Sequence, residues 1–426
     1  MNDSSVIGKI LITGDLILKS PLLIGDGAGE TADNFRDIHI LKNRKGEPFI
    51  PGTSLCGVLR ERLELVAPDS ITEIFGDTNE MQSSIRLDDI PLKNFKIIYR
   101  DGVRIDDLTG AGVDGGKYDF EVVERGANGS LKLLITLRGR HSLDKISNVA
   151  ARLLKILQDG IQLGAKTSKG LGLITVENSA ANLYDFRDKK DVAAWLTNKI
   201  PAKKIQPAEQ ISANENDFAV DADFIFNSSF IIRDYDSATL KSRNDFVIPG
   251  TSLKGILRHR ADYIFDKLGL DKNLLENLMG TSTGKSRFIV AESYIAPQNF
   301  SEFEHMRTKL DRFTGGTLQG TLFSSKPAYQ RNSDEPTLKI RFEIRDAKDF
   351  EAGLALFMLR DLWLGHVAIG GEKSIGRGTV RGLSAKINFK GKTFTLNAGG
   401  KIIDGDAAEL EKFAEALKNI SGGGGE

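Results

Sequence analysis

The chain is poor in the residues that staple or anchor a protein. It has one cysteine, Cys56, among 426 residues, which excludes an intramolecular disulfide framework and a cysteine-cluster zinc site. So little cysteine points to a reducing compartment, hence the cytoplasm. Five scattered histidines argue against a His-rich metal centre. No apolar run reaches the length of a membrane span, and the N-terminal residues lack the basic and apolar regions of a signal peptide. Neither sign of charge is in excess, since 58 basic residues balance 58 acidic ones. The chain is therefore no bulk polycation, and any binding to nucleic acid has to come from local basic surfaces. What remains is a globular composition, 40% hydrophobic and 27% charged, long enough for two or three domains.

The strongest positive signal is an internal repeat. Ile50-Pro51-Gly52-Thr53-Ser54-Leu55-Cys56-Gly57-Val58-Leu59-Arg60-Glu61-Arg62 returns as Ile248-Pro249-Gly250-Thr251-Ser252-Leu253-Lys254-Gly255-Ile256-Leu257-Arg258-His259-Arg260, identical at 10 of 13 positions. Such density within one chain means a duplicated unit. In each copy an extended apolar run ends at Pro-Gly, a Thr or Ser caps, and a helix begins. Free N–H groups in the first turn, a small residue at Gly57 or Gly255, and nearby cations make an anion site suited to phosphate. Its candidate ligands are Ser54 and Arg60 in one copy, and Ser252, Lys254 and Arg258 in the other. A plain strand-to-helix corner with solvated arginines is the competing reading, and the recurrence of the arginines favours phosphate.

A second pair of stretches shares the frame Gly-x-x-x-Ser-x-Gly-x-Gly, at 164–172 and 370–378. Glycines let a backbone lie flush against a ligand, and exposed N–H groups can hold phosphate oxygens. Lys166, Ser168, Lys169 and Gly170 in the first loop, and Lys373, Ser374 and Arg377 in the second, are the candidate contacts. The copies are offset by 198 residues at the corner (Ile50 to Ile248) and by 206 at this loop (Gly164 to Gly370). Met279 to Ser286 resembles a phosphate-binding P-loop but has three residues between Gly280 and Gly284 where four are needed. It also follows a helical pattern rather than a strand, so a surface loop is expected.

Each copy reads as strand, helix, strand, strand, helix, strand, an α+β pattern of the ferredoxin or RNA-recognition type. Residues 7–25 and 218–232 read as opening strand pairs. The polar, Gly-rich stretches at 101–126 and 309–316 read as projecting hairpins. The expected domains span 1–183 and 217–420, joined by a linker with a short helix at 184–216, and the tail 421–426 reads as disordered.

The corners, the closing loops, and the hairpins around Val103-Arg104-Ile105-Asp106-Asp107-Leu108-Thr109-Gly110 and Lys309-Leu310-Asp311-Arg312-Phe313-Thr314-Gly315 together resemble the RAMP superfamily of CRISPR-associated proteins. More narrowly, the chain resembles the backbone subunits of type III effector complexes, here with two RAMP domains fused. The resemblance implies a modified ferredoxin-like fold with an inserted thumb-like hairpin in each domain. It implies partners too: a CRISPR guide RNA, a complementary target RNA, and other effector subunits, both backbone and large. It further implies that the thumbs enter the guide–target duplex and that a loop aspartate before each corner cleaves the target.

Asp37 fits that place in the first copy. Aligning Leu41-Lys42 with Leu240-Lys241 puts Asp236 opposite it, with Asp33, Asp234 and Asp245 as rivals. RNA supplies its own nucleophile, the 2′-OH, and a carboxylate can accept its proton or hold a hydrated Mg²⁺ or other divalent cation. Asp37 and Asp236 are the expected metal ligands. His39 and His259 are acid–base candidates that packing explains equally well. A purely structural RNA-binding subunit and a repeat-RNA processing endoribonuclease are the alternatives.

Overall fold

A computed structural model describes residues 4–27, 38–77, 81–106, 109, 111–209, 214–234, 238–281, 283–331 and 335–420. Asp33, Asp37, Asp236, Leu108 and the tail 421–426 lie outside the described residues. The described residues are 29% helix and 37% strand. It divides into two units. The first comprises Met1–Arg104, Gly112–Thr167 and Leu171–Ala213, and the second Ile105–Ala111, Ser168–Gly170 and Asn214–Glu426.

In chain order the first unit contains β1 (Val6–Leu18), α1 (Gly52–Val66), β2 (Ile85–Leu87), a hairpin of β3 (Ile97–Ile105) and β4 (Gly112–Val123), β5 (Asn128–Arg138), α2 (Leu143–Asp159), β6 (Leu173–Asp185), α3 (Lys189–Leu196) and β7 (Lys203–Ile205). Its antiparallel sheet runs β7-β6-β1-β5-β2. The second unit contains β8 (Phe218–Phe226), α4 (Gly250–Leu268), α5 (Lys272–Met279), β9 (Phe288–Val290), β10 (His305–Arg307), β11 (Phe323–Ser325), β12 (Leu338–Ile344), α6 (Asp349–Trp363), β13 (Val380–Phe389), β14 (Lys392–Leu396), β15 (Ile402–Asp404) and α7 (Ala407–Ile420). Its sheet runs β9-β12-β8-β13-β14-β15. The four strands common to both units take the same order, fourth, first, third, second: β6-β1-β5-β2 and β13-β8-β12-β9. With helices after the first strand and before the last, this is the ferredoxin-like arrangement that the element order implies.

Side-chain periodicity explains the layers. In β5, Leu131, Leu133, Ile135 and Leu137 alternate inward and are buried. Helix α2 buries Ile146, Val149, Ala150, Leu153, Leu154 and Leu157 against the same sheet, a spacing of three and four that makes one apolar face. In the second unit α6 is buried nearly all round, because α7 brings Leu410, Phe413 and Leu417 into the same core.

The structure departs from the sequence reading in three places. The opening element of the first unit is one 13-residue strand rather than a strand pair. Gly14, which invites a turn, sits instead at a bulge where the register against β6 shifts between Thr13 and Asp15. In the second unit β8 ends at Phe226, and Ser229–Phe230 pairs in a different sheet. Besides the expected short helix, α3, whose Trp195 packs edge-on against Tyr184 at 5.0 Å, the segment read as a linker carries β7 on the edge of the first sheet.

Candidate nucleic-acid interface

Helices α1 and α4 start in the same way. Pro51 and Pro249 are the N-cap residues, both extended, and neither helix has a side-chain cap, contrary to the Thr or Ser cap expected from the sequence. The Ser54 and Leu55 amides donate to the Pro51 carbonyl, and those of Ser252 and Leu253 to Pro249. At the first corner the Gly52 amide donates to Asp89 Oδ1 at 2.9 Å, so this first-turn donor already serves an internal carboxylate.

Helix α1 turns Gly52, Leu55, Leu59 and Leu63 inward, which leaves Thr53, Gly57 and Arg60 as an exposed stripe. Ser54 is half-buried beside it. A Cβ added at Gly57 or at Gly255 would meet nothing within 4 Å. Glycine inside a helix costs about 0.5–1 kcal/mol relative to alanine. Both copies accept that cost where their own chain imposes no steric need for glycine.

The second corner handles its cations differently. Lys254 is 5% exposed and points inward, donating to Ser286 Oγ at 2.7 Å and to the Phe288 carbonyl at 2.8 Å. Burial, aided by the Arg258 charge, lowers its pKa to about 7. Arg258 donates to the Gly280 carbonyl at 3.0 Å. Lys254 is thus a structural cation, and the outward residues of this corner are the half-buried Ser252, Gly255 and His259.

The closing loops adopt one conformation twice. Gly164, Lys166, Gly170 and Gly172 have φ of 86°, 56°, 86° and 79°, and Gly370, Glu372, Gly376 and Gly378 have 89°, 56°, 84° and 77°. Gly172 and Gly378 also pass close against the Leu163 and Ile369 carbonyls, where no Cβ fits. Within this shared frame the charges differ.

Lys166 holds its ammonium over the rings of Tyr118 and Phe120 at 4.6 and 4.8 Å and donates to the Tyr118 hydroxyl at 3.4 Å. Burial pushes that ammonium below its ordinary pKa. Ser168 and Lys169 are half-buried and Gly170 is buried.

Glu372 stands at the equivalent place in the second unit and joins Arg233, Arg307 and Arg377 at 2.8, 2.5 and 2.7 Å. Burial alone would push its carboxyl up, but the hydrogen bonds from the three arginines outweigh it and hold the pKa at about 2. Arg377 is buried and also donates to Ser229 Oγ and the Tyr329 hydroxyl, both at 2.9 Å. Its guanidinium is spent inside the unit. Lys373 and Ser374 face outward.

Both projecting hairpins exist and end in the same turn. The Thr109 amide donates to Asp106 Oδ1 at 2.8 Å, and the Asp106 amide to the Ala111 carbonyl at 2.8 Å. In the second hairpin, Thr314 donates to Asp311 Oδ1 at 3.0 Å, and Asp311 to the Gly316 carbonyl at 2.8 Å. Phe313 at that tip is 100% exposed.

Of the catalytic candidates, Asp37, Asp236 and Asp33 lie outside the described residues. Ile38, the residue after Asp37, bridges Phe120 at the base of the first hairpin. Asp245 lies in a strand paired with Ser242, and the exposed Asp234 donates its amide to the Ala238 carbonyl. Among the described residues, no group of three or more His, Cys, Asp or Glu side chains could hold a metal ion.

No helix among the described residues is long and apolar enough to cross a membrane. A search of curated proteins found no match. The sequence pattern of the RAMP superfamily matches residues 15–175 and 224–381, one stretch in each ferredoxin-like unit. That family points to a CRISPR-associated role in RNA binding and includes some RNA endoribonucleases. With the family pattern matched twice over most of its length, the chain belongs to the RAMP superfamily.

Proposed function

We propose that this chain is a backbone subunit of a type III CRISPR effector complex, working in the cytoplasm, and that each domain holds a segment of guide RNA. The carrying observation is the pair of helix glycines, Gly57 and Gly255, kept open toward solvent at a cost in helix stability. An RNA backbone approaching the corner helix would use that space. Arg60 and Ser54 flank it in the first domain, and Ser252 in the second. The closing loops add Lys166, Ser168 and Lys169 on one side, and Lys373 and Ser374 on the other. The inward-facing Lys254 and Arg377 support the loops rather than the RNA.

The matching thumb tips, with apolar Leu108 and Phe313 at corresponding positions, favour insertion at intervals along a guide–target duplex over the processing of one repeat hairpin. Asp37 and Asp236 are proposed to cleave the target at nucleotides splayed beside the thumbs. There the 2′ oxygen bonds to the adjacent phosphorus as the bond to the 5′ oxygen breaks, leaving a 2′,3′-cyclic phosphate and a 5′-hydroxyl. Holding the splayed nucleotide in line supplies the geometry that free RNA rarely adopts. Mg²⁺ or another divalent cation belongs to this proposal, with Asp37 and Asp236 as its ligands and chelation as its check.

The experiment is to purify the chain from cells that express a guide and extract its nucleic acid. A short RNA of defined length is expected, and its absence would contradict the proposal.

A further inference from the structure

Three arginines converge on the Glu372 carboxylate in the second unit, which leaves the cluster with positive charge in excess. Oε1 of Glu372 lies 2.8 Å from Nη2 of Arg233 and 2.5 Å from Nη2 of Arg307, and Oε2 lies 2.7 Å from Nε of Arg377. Arg377 is buried and gives Nη1 to Ser229 and Tyr329 as well. Arg233 is not used up in this way. Its side chain is 55% exposed, and no other described residue bonds its Nε or Nη1. Arg307 donates Nη2 to Ser325 Oγ at 2.9 Å, while its Nε is buried without a partner. Sharing one carboxylate oxygen holds these two guanidiniums side by side with donors to spare, and both stay charged at any working pH.

An aromatic face adjoins them. Arg307 on β10 and Phe323 on β11 are cross-strand partners, with the guanidinium 5.6 Å from the ring centroid. Phe323 is 49% exposed, and Phe303, two residues before β10, is 57% exposed. Unspent guanidiniums beside an open ring suit single-stranded nucleic acid, since the cations take phosphate and any base can stack on the ring. The first unit is built differently here. Gly164 and Gly370 pass close against the Leu23 and Ile231 carbonyls, which aligns Leu23 with Ile231 and so Gly25 with Arg233. Lys166 stands at the place of Glu372.

We propose that Arg233, Arg307 and Phe323 form a nucleotide subsite that belongs to the second domain alone. The two guanidiniums share one phosphate of a bound single strand, and an adjacent base stacks on Phe323. This rests on the reading that the second domain holds RNA, and it adds a contact at the root of the hairpin, apart from the corner helix. An acidic protein segment would satisfy the guanidiniums equally, but it would leave the open ring without a role.

The test is a fluorescence-anisotropy titration of a labelled single-stranded oligouridylate with the purified chain, freed of RNA, at several salt concentrations. Wild type is compared with Arg233→Gln, Arg233→Lys and Phe323→Ala, each checked by thermal melting. Arg233→Gln should lower affinity about 5–10-fold and reduce the slope of log affinity on log salt by about 0.7, the loss of one phosphate contact. Arg233→Lys should keep the slope and recover part of the affinity, because it keeps the charge without the fork. Phe323→Ala should lower affinity about tenfold with the slope unchanged, because it removes stacking and no charge. That variant loses only an exposed ring, and it decides the matter should Arg233→Gln fail to fold. If Arg233→Gln and Phe323→Ala bind like wild type, the inference falls and RNA binding by the domain stands. It falls equally if RNA affinity is unchanged while Arg233→Gln releases an acidic protein from the assembled complex. If the wild-type chain binds no RNA, that reading falls and takes the inference with it.

Discussion

Glu372 and Lys166 occupy the same left-handed position in two copies of one loop, yet one is an arginine-bound acid and the other a base resting on aromatic rings. The swap is legible in the 206-residue offset. The three arginines are not, because they come from Arg233, Arg307 and Arg377, far apart in the chain. Glu372 has a lowered folded-state pKa, so its contribution to stability is complete above the unfolded carboxyl value. It is lost as pH falls from about 4.3 through about 2. Glu372→Gln should cost about 3 kcal/mol at neutral pH, the low end for breaking a buried ion pair, since Arg233 stays half exposed. Urea denaturation checks this, and most of that loss should vanish at pH 2.5. Asp37→Ala should delete one product of target cleavage and Asp236→Ala another, with guide binding intact in both. A full set of products on a sequencing gel would contradict the assignment.

Elements with strong local signals were the legible ones. The corners, the closing loops and both hairpins could be read because Pro-Gly, Gly-x-Gly and Asp-x-x-Thr-Gly restrict the backbone over a few residues. The inward turn of Lys254 could not, since it depends on Ser286 and Phe288 arriving from beyond α5. The bulge at Gly14 was missed for a similar reason, because a glycine marks a turn or a bulge according to the strand beside it. At the thumb tip, Phe313 touches nothing that its loss would disturb, being 100% exposed. Phe313→Asp should leave thermal stability within about 0.5 kcal/mol of wild type. The same change should weaken target-duplex binding in a gel-shift titration if the ring enters the duplex. Equal affinity would remove the thumb from that role.

At the scale of the whole chain, the duplication and the two domains could be read from the repeats. The helix α7 and strands β14 and β15, at the end of the second unit, could not. The last strand of the apparent linker ends at Ile205, and residues 206–217 contain no lysine or arginine. A glutamate-specific protease should cut at Glu209 or Glu215 and leave two compact fragments, and a single resistant core would contradict the division. Binding of single-stranded RNA should weaken as salt rises, with a slope of about 0.7 per phosphate contact. The most direct measurement is the affinity of the purified chain for that RNA in the double variant Gly57→Ala, Gly255→Ala, read together with its melting temperature. Alanine should raise the melting temperature by about 2–4 °C for each kcal/mol of helix stability regained. If RNA lies against both corners, affinity should fall about tenfold, ~1.4 kcal/mol, despite the more stable fold. A higher melting temperature with unchanged affinity would contradict RNA binding at the corners.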